Sequence, residues 1–139
     1  MLYRSTIDHE QYYPQPGWVE HDAEEIYTNT LRAVREVIES GKIEPDATCS
    51  VAITNQRETA VVWNGETGEP VYRVVVGQWQ RGTDICNKLI ARGHTETIKS
   101  KSGLIIDTYF SASGIQWILD NVEGARSLAD EGKLLAGTI

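Results

Sequence analysis

The clearest periodic pattern of apolar residues lies between residues 22 and 41. Its apolar positions recur every three or four residues, at Tyr27, Leu31, Val34 and Ile38. This spacing predicts an amphipathic helix with one apolar face. Asp22 stands just before the pattern and Glu25 three positions later, which predicts a capping box at the helix start. Gly41 is a plausible end of the helix.

Three short runs of apolar and β-branched residues come next, and each predicts a strand. They cover residues 49–54, 60–63 and 71–76. Asn64-Gly65 and Thr67-Gly68 lie between the second and third runs, and both pairs are typical of turns. The order therefore predicts one strand followed by a hairpin.

The second half of the chain has a helical period. Predicted helices begin at the capping residues Thr83, Thr95 and Ser111, and a shorter one covers about residues 124–131. Residues 134–139 are apolar again and predict a last strand. A mixture of strands and helices in this order indicates an α/β or α+β domain.

Composition excludes several classes of protein. A chain of 139 residues is long enough for one domain with a buried core. Its formal charge of −7, with no basic run, argues against binding nucleic acid or an anionic membrane. No segment approaches the roughly 20 apolar residues of a membrane helix, and no signal peptide is visible at the start. We therefore expect a cytoplasmic protein.

Residue types that often bind metals or form disulfides are few and scattered. Cys49 and Cys86 do not have the spacing of a metal site or a disulfide framework, and are expected to be reduced and packed. The three histidines, His9, His21 and His94, also lack metal-ligand spacing and are expected at the surface or at helix caps. Phosphate-binding glycine motifs of the two common types are absent from the sequence.

The most unusual polar run is Asn55-Gln56-Arg57-Glu58-Thr59, directly after a predicted strand. Ligands of α/β sheets often bind beyond the carboxyl ends of strands. Arg57 offers a fork of hydrogen-bond donors and Glu58 offers acceptor oxygens, so together they can hold a small ligand with several hydroxyls. The two charges would also neutralise each other. The simpler interpretation, which the pattern alone favours, is a solvated loop with a surface Arg–Glu pair.

A second run with possible binding chemistry is Asp107-Thr108-Tyr109-Phe110-Ser111. Tyr109 could cover a ligand with its ring and make one hydrogen bond through its hydroxyl. Alternatively the run only starts a helix, with Phe110 packed inward and Ser111 as the cap. That alternative leaves Tyr109 available for either role.

Four segments carry a resemblance to a known family. They are residues 13–22 (Tyr-Pro-Gln-Pro-Gly-Trp-Val-Glu-His-Asp), 53–59 (Ile-Thr-Asn-Gln-Arg-Glu-Thr), 103–111 (Gly-Leu-Ile-Ile-Asp-Thr-Tyr-Phe-Ser) and 117–122 (Trp-Ile-Leu-Asp-Asn-Val). In this order they resemble the glycerol kinases of the FGGY carbohydrate kinase family. The resemblance implies two ribonuclease H-like (actin-like) domains that close over a cleft, with glycerol against the first and Mg-ATP mainly against the second. The expected fold is therefore α/β, an incomplete ribonuclease H-like domain with a mixed sheet and helices.

The same resemblance implies the substrate-binding residues. Arg57, Glu58 and Tyr109 correspond to residues that bind glycerol in the family. A tryptophan of the family packs on the carbon face of glycerol, and its counterpart here is either Trp79 or, in an alignment without gaps, Gly77. If Gly77 is the counterpart, the apolar wall is missing and affinity for glycerol should fall.

The resemblance also implies missing parts. Residues 1–139 are expected to be part of the N-terminal domain, without its leading strands and without the nucleotide domain. The chain alone is then expected to bind no ATP or Mg²⁺, to contain no catalytic residue and not to phosphorylate glycerol. Absence of the leading strands should expose strand edges at 51–54 or 71–76, which favours self-association.

Other functions remain open from the sequence. The chain could be a non-catalytic module that binds a polyol or a partner protein. It could also be half of a split kinase, or belong to an FGGY kinase for another sugar alcohol.

Overall fold

A computed structural model describes residues 2–76 and 80–139. The helices are α1 (Ala23–Gly41), α2 (Thr83–Ala91), α3 (Thr95–Ser102), α4 (Ser111–Asn121) and α5 (Ala125–Asp130), with a short 3₁₀ turn at Pro45–Ala47. The strands are β1 (Glu20–His21), β2 (Ala60–Asn64), β3 (Val74–Val75) and β4 (Leu134–Thr138). Within the described ranges, no helix is both long enough and apolar enough to cross a lipid bilayer.

The strands form one sheet in the order β1-β3-β2-β4, and every pairing is antiparallel. The predicted hairpin is confirmed, because β3 returns along β2 after the turn at residues 64–68. β4 pairs with the whole of β2, from Ala60 opposite Thr138 to Asn64 opposite Leu134. The expected mixed sheet is wrong for the described residues, since each neighbouring pair of strands runs in opposite directions. Helices with a small antiparallel sheet are consistent with the predicted α/β class.

The strand predicted over residues 49–54 does not form. Val51 and Ile53 are 81% and 91% exposed, and no strand pairs with this segment among the described residues. A β-branched sequence forms a strand only where a neighbouring strand accepts its hydrogen bonds and packs on its side chains. Self-association through this segment stays a prediction.

The first helix confirms most of its predicted features. The amide of Glu25 donates to Oδ1 of Asp22 at 3.1 Å, so Asp22 is the N-cap. The capping box is not completed among the described residues: the Glu25 carboxylate accepts a hydrogen bond from the Glu10 amide at 3.1 Å, and no bond from the Asp22 amide to it is observed. The helix ends at Gly41, followed by Lys42 in the left-handed conformation at φ +47°. No residue of α1 is buried, so its apolar face is only partly covered.

The later helices lie close to their predicted positions, but their first turns differ from prediction. Thr83 and Thr95 are the first helical residues of α2 and α3, and Gly82 and His94 occupy the cap positions without a side-chain cap. Ser111 is likewise the first residue of α4. Its hydroxyl donates to a distant carbonyl instead of capping the helix.

The core lies between the sheet and the last two helices. Its buried residues are Val62, Val75, Ile118 and Ala125. Burial of these apolar side chains holds α4 against β2 and β3. The start of α4 is thereby placed beside the residues that precede β2, and these two segments hold the predicted site.

The two cysteines differ in their surroundings. Cys86 is buried on α2, as predicted, whereas Cys49 is exposed. The prediction of a packed thiol is therefore wrong for Cys49, because the segment that contains it does not join the sheet.

Candidate functional site

Residues 56–59 form a tight turn just before β2. The amide of Thr59 lies 3.2 Å from the carbonyl oxygen of Gln56 and 2.7 Å from that of Arg57. Glu58 has a φ of +58°, in the left-handed region. That conformation costs a residue other than glycine about 1–2 kcal/mol, so the surrounding structure must hold it in place.

Two remote segments hold this turn. The Gln56 amide donates to the carbonyl of Ile139 at 2.7 Å, and the Ile139 amide donates to the carbonyl of Thr59 at 3.2 Å. These bonds extend the ladder between β2 and β4. On the other side, the Ser111 hydroxyl donates to the carbonyl of Glu58 at 2.7 Å. The turn is thus tied both to the last strand and to the start of α4.

Tyr109 lies beside Glu58. Its hydroxyl donates to Oε2 of Glu58 at 3.2 Å, although 51 positions separate the two residues. The backbone of Tyr109 is placed by Asp107, whose Oδ1 accepts from the Tyr109 amide at 2.8 Å. Tyr109 is 48% exposed, so part of the residue faces solvent. The structure therefore brings together two of the four residues that the sequence assigned to the site.

Arg57 lies on the same turn and is exposed. Among the described residues, no hydrogen bond or ion pair to its guanidinium group is observed. The expected neutralising pair with Glu58 is therefore not formed, and the Glu58 carboxylate contacts Tyr109 instead. The guanidinium donors of Arg57 face solvent, where a ligand could use them.

Trp79 and Gly77, the two alternatives for the apolar wall of the site, lie outside the described residues.

A buried charged cluster was not predicted. The side chains of Glu20 and Arg81 form an ion pair and are 3% and 2% exposed. The Tyr72 hydroxyl donates to Oε1 of Glu20 at 2.8 Å and accepts from Nη1 of Arg81 at 2.6 Å. Burial raises the pKa of the Tyr72 hydroxyl, so the hydroxyl keeps the proton that it donates. The guanidinium carbon of Arg81 lies 3.0 Å from the ring centroid of Trp18 and 4.5 Å from that of Trp117.

This cluster connects β1 with Arg81, two positions before the first residue of α2. Glu20 and Trp18 belong to one of the segments that carry the family resemblance, yet no role had been assigned to them. The sequence did place the charged Glu20 two positions after Trp18. A charged residue near a tryptophan does not by itself predict whether the charge is buried or exposed.

The two N-terminal histidines form a second unpredicted contact. Nε2 of His9 lies 3.1 Å from Nδ1 of His21, and their rings meet edge to face. His21 is 2% exposed, so its expected surface position is wrong. Its burial follows from its place in β1. Burial lowers the pKa of His21, and the proximity of His9 lowers it further.

The geometry at the turn suits a small ligand with several hydroxyl groups. A hydroxyl both donates and accepts, and Glu58 supplies acceptor oxygens while Arg57 supplies donors. The Tyr109 ring offers an apolar surface for the carbon atoms between those hydroxyls. Among residues 2–76 and 80–139, no group of three or more His, Cys, Asp or Glu side chains is placed to hold a metal ion.

Comparisons with known proteins identify relatives of this chain. Glycerol kinase 1 of Thermotoga maritima is 52% identical over 139 residues, which are 100% of this chain and 28% of that protein. Glycerol kinase of Desulforamulus reducens is 51% identical over 129 residues, 93% of this chain and 26% of that protein. The chain thus spans little more than a quarter of the length of these curated relatives.

Solved structures of carbohydrate kinases have a fold similar to that of this chain. The crystal structure of Plasmodium falciparum glycerol kinase with ADP matches with a TM-score of 0.83 and 35% identity, over 94% of this chain and 26% of that one. Gluconate kinase from Lactobacillus acidophilus matches with a TM-score of 0.69 and 16% identity, over 86% of this chain and 23% of that one, which supports the fold alone.

A family comparison covers nearly the whole sequence. Residues 1–136 match the N-terminal domain of the FGGY family of carbohydrate kinases. This match and the identity to the curated relatives agree with the segments that first suggested the family. The chain therefore belongs to the FGGY family of carbohydrate kinases.

Proposed function

We propose that these residues form part of a glycerol kinase, a cytoplasmic enzyme that phosphorylates glycerol with ATP to give glycerol 3-phosphate. Residues 1–139 belong, in this proposal, to its N-terminal domain and carry part of the glycerol site. The observation that supports it best is the contact between Tyr109 and Glu58 at 3.2 Å. It joins two segments that the family resemblance assigns to glycerol. Relatives named as glycerol kinases support the choice of substrate.

Each site residue has a proposed role in binding. The Glu58 carboxylate accepts a hydrogen bond from one glycerol hydroxyl, and the Arg57 guanidinium donates to another. The ring of Tyr109 covers the carbon atoms, and we propose Trp79, in preference to Gly77, as the counterpart of the family tryptophan that does the same. A site of this kind discriminates against analogues without one hydroxyl, because its own polar groups would be left without partners.

ATP and Mg²⁺ are assigned to other parts of the full-length enzyme. A phosphoryl group in transfer needs positioning and neutralisation of its charge, largely by Mg²⁺ and cationic side chains. The described residues do not provide a cluster fit to hold a metal ion. The chain spans little more than a quarter of the length of its curated relatives, and we propose that the remainder of the enzyme supplies these groups, so that the chain alone gives no turnover. ATP-dependent turnover of glycerol by the purified chain, in a coupled assay, would contradict that assignment.

Binding of glycerol to the chain tests the site directly. We expect amide and side-chain NMR signals of residues 57–59 and 109–111 to shift as glycerol is added. Propane-1,2-diol, which lacks one hydroxyl, should bind more weakly. Equal shifts with both compounds, or shifts located away from these residues, would refute the glycerol site.

Substitutions of two exposed arginines, one in the proposed site and one away from it, test the role of Arg57. Removing a hydrogen bond from a charged donor costs about 1.5–3 kcal/mol, so Arg57→Ala should weaken glycerol binding roughly ten- to a hundredfold. Arg126→Ala removes an exposed arginine that pairs with Asp120 at the end of α4. That control should leave glycerol binding unchanged. The same affinity in Arg57→Ala and wild type would remove Arg57 from the site.

A further inference from the structure

We infer that Ser111 is a positioning residue of the proposed glycerol site. Its hydroxyl holds the carbonyl of Glu58 and thereby keeps the left-handed turn that directs the Glu58 carboxylate towards Tyr109. The inference rests on the proposed function for its effect on glycerol, but the contact itself can be tested without any ligand.

The first argument is that the Ser111 hydroxyl has no local role. Serine at the start of a helix commonly caps the amides of the first turn. Here Phe110 is the N-cap residue and no side chain caps α4. The Ser111 hydroxyl donates instead to the carbonyl of Glu58, 53 positions away, at 2.7 Å in a partly buried setting. The Ser111 hydroxyl therefore does not cap α4 but donates to a main-chain carbonyl of the proposed site.

The second argument is that the Glu58 carbonyl needs an external partner. The turn's own hydrogen bonds use the carbonyls of Gln56 and Arg57, which accept from the Thr59 amide. Glu58 itself has a φ of +58°, a conformation that a residue other than glycine keeps only under constraint. Without the Ser111 hydroxyl, only the hydrogen bonds of the Thr59 amide hold the peptide after Glu58 against rotation towards an ordinary backbone conformation. That rotation would carry the carboxylate away from Tyr109.

The third argument is that two residues of one segment hold Glu58 at two points. Tyr109 donates to the side chain of Glu58 at 3.2 Å, and Ser111 donates to its main chain at 2.7 Å. Both donors stand at the start of α4, which packs on β2 through the core. The helix therefore fixes the position and the direction of the Glu58 carboxylate together. Rigid placement of this kind reduces the entropy lost when a ligand binds.

The experiment compares three substitutions at Ser111. Ser111→Ala removes the donor, Ser111→Thr keeps the hydroxyl, and Ser111→Cys is nearly isosteric but donates only weakly. The matched control is Ser102→Ala, which removes a hydroxyl that donates to the Ile98 carbonyl at 2.8 Å within α3. Three quantities are measured for each folded variant: the NMR signals of the Glu58 carboxyl and the Tyr109 ring without ligand, the glycerol affinity, and the melting temperature.

We expect Ser111→Ala to shift the Glu58 and Tyr109 signals and to lower glycerol affinity about tenfold. Ser111→Thr should restore both, and Ser111→Cys should be intermediate. Ser102→Ala should change neither. If Ser111→Ala does not fold, the comparison of Ser111→Cys with Ser111→Thr decides the matter by the same two readouts.

Failure of the inference can be distinguished from failure of the proposed function. If the wild-type chain binds glycerol and the Ser111 variants bind it equally well, the inference is wrong and the proposed function stands. A lower melting temperature with unchanged Glu58 and Tyr109 signals would also overturn it, since Ser111 would then be merely structural. If wild type binds no glycerol while those signals shift in Ser111→Ala, the positioning role stands and the proposed function fails.

Discussion

Arg81 and Glu20 form an ion pair between side chains that are only 2% and 3% exposed, although 61 positions separate them. Trp18 and Trp117 lie against the guanidinium group, and Tyr72 bonds to both charged partners. Burial makes each charge depend on the other, because neither can be solvated alone. The pair connects the edge strand β1 to the start of α2.

Loss of one member of this pair should be severely destabilising. We expect Arg81→Met to lower the free energy of unfolding by about 3–5 kcal/mol, because Glu20 would be left buried without its countercharge. The exposed pair of Arg126 and Asp120, 49% and 46% exposed, supplies the control. Arg126→Met should cost at most about 1 kcal/mol. Urea denaturation followed by circular dichroism measures both, and equal losses would contradict this account.

A double substitution tests whether the uncompensated charge causes the loss of stability, even if Arg81→Met does not fold. Replacing both charges, in Glu20→Leu with Arg81→Met, removes the uncompensated carboxylate. The double variant should therefore be more stable than Arg81→Met alone. Should it be less stable, the cost lies in lost packing and hydrogen bonds of the cluster, and the uncompensated charge is not the cause.

Glycine at position 58 should separate stability from binding. Glu58→Gly relieves the left-handed strain, which for an L-residue is about 1 kcal/mol or more, but removes the carboxylate. We expect the free energy of unfolding to stay level or rise slightly, while glycerol binding is lost. Lys42→Gly is the control, because Lys42 also has a positive φ, +47°, and follows α1. It should raise stability without changing glycerol binding. A large loss of stability in Glu58→Gly would show that the side-chain contact outweighs the strain.

Acid should destabilise the chain through His21. Burial is the main cause that lowers its pKa below the ordinary 6.5, with His9 adding to the effect and Glu25 opposing it. The folded state therefore binds a proton less readily than the unfolded state. Its stability is unaffected by this group well above pH 6.5 and falls as the pH decreases below that value.

Thermal melts across this pH range give the measurement. His21→Gln should flatten the decrease of melting temperature below pH 6.5, whereas His94→Gln, at the exposed cap of α3, should not. An unchanged pH profile in His21→Gln would mean that other groups cause the acid sensitivity.

The two thiols should react at very different rates. Burial raises the pKa of Cys86, and the charge of Asp107 raises it further, whereas Cys49 is exposed. Since the thiolate is the reactive form, iodoacetamide should modify Cys49 in the folded chain and Cys86 only after unfolding. Mass spectrometry of digested samples locates the label, and Cys49→Ser gives a chain with the slow site alone. Rapid labelling of Cys86 in native buffer would contradict its buried position.

Much of the local structure could be read from neighbouring residues. The helix that follows Asp22, the hairpin between β2 and β3 and the last helix agree with their predicted positions. Caps, turns and helical periods act over a few positions, so the residues that determine them are adjacent in the sequence. The same is true of the family resemblance, which consists of short contiguous segments.

Packing between distant segments decided which predicted strands form, which polar residues are buried and which residues make up the site. Residues 49–54 have the composition of a strand but no partner among the described residues, whereas His21 and Glu20 become buried because β1 pairs with β3. Ser111 has the position of a helix cap, yet it bonds to Glu58 because α4 packs beside the turn. Strand pairing, burial of a charged side chain and the assembly of a binding site all depend on contacts between residues that are distant in the sequence. No pattern of neighbours contains that information, and the contact of Glu58 with Tyr109 exists only once the core has formed.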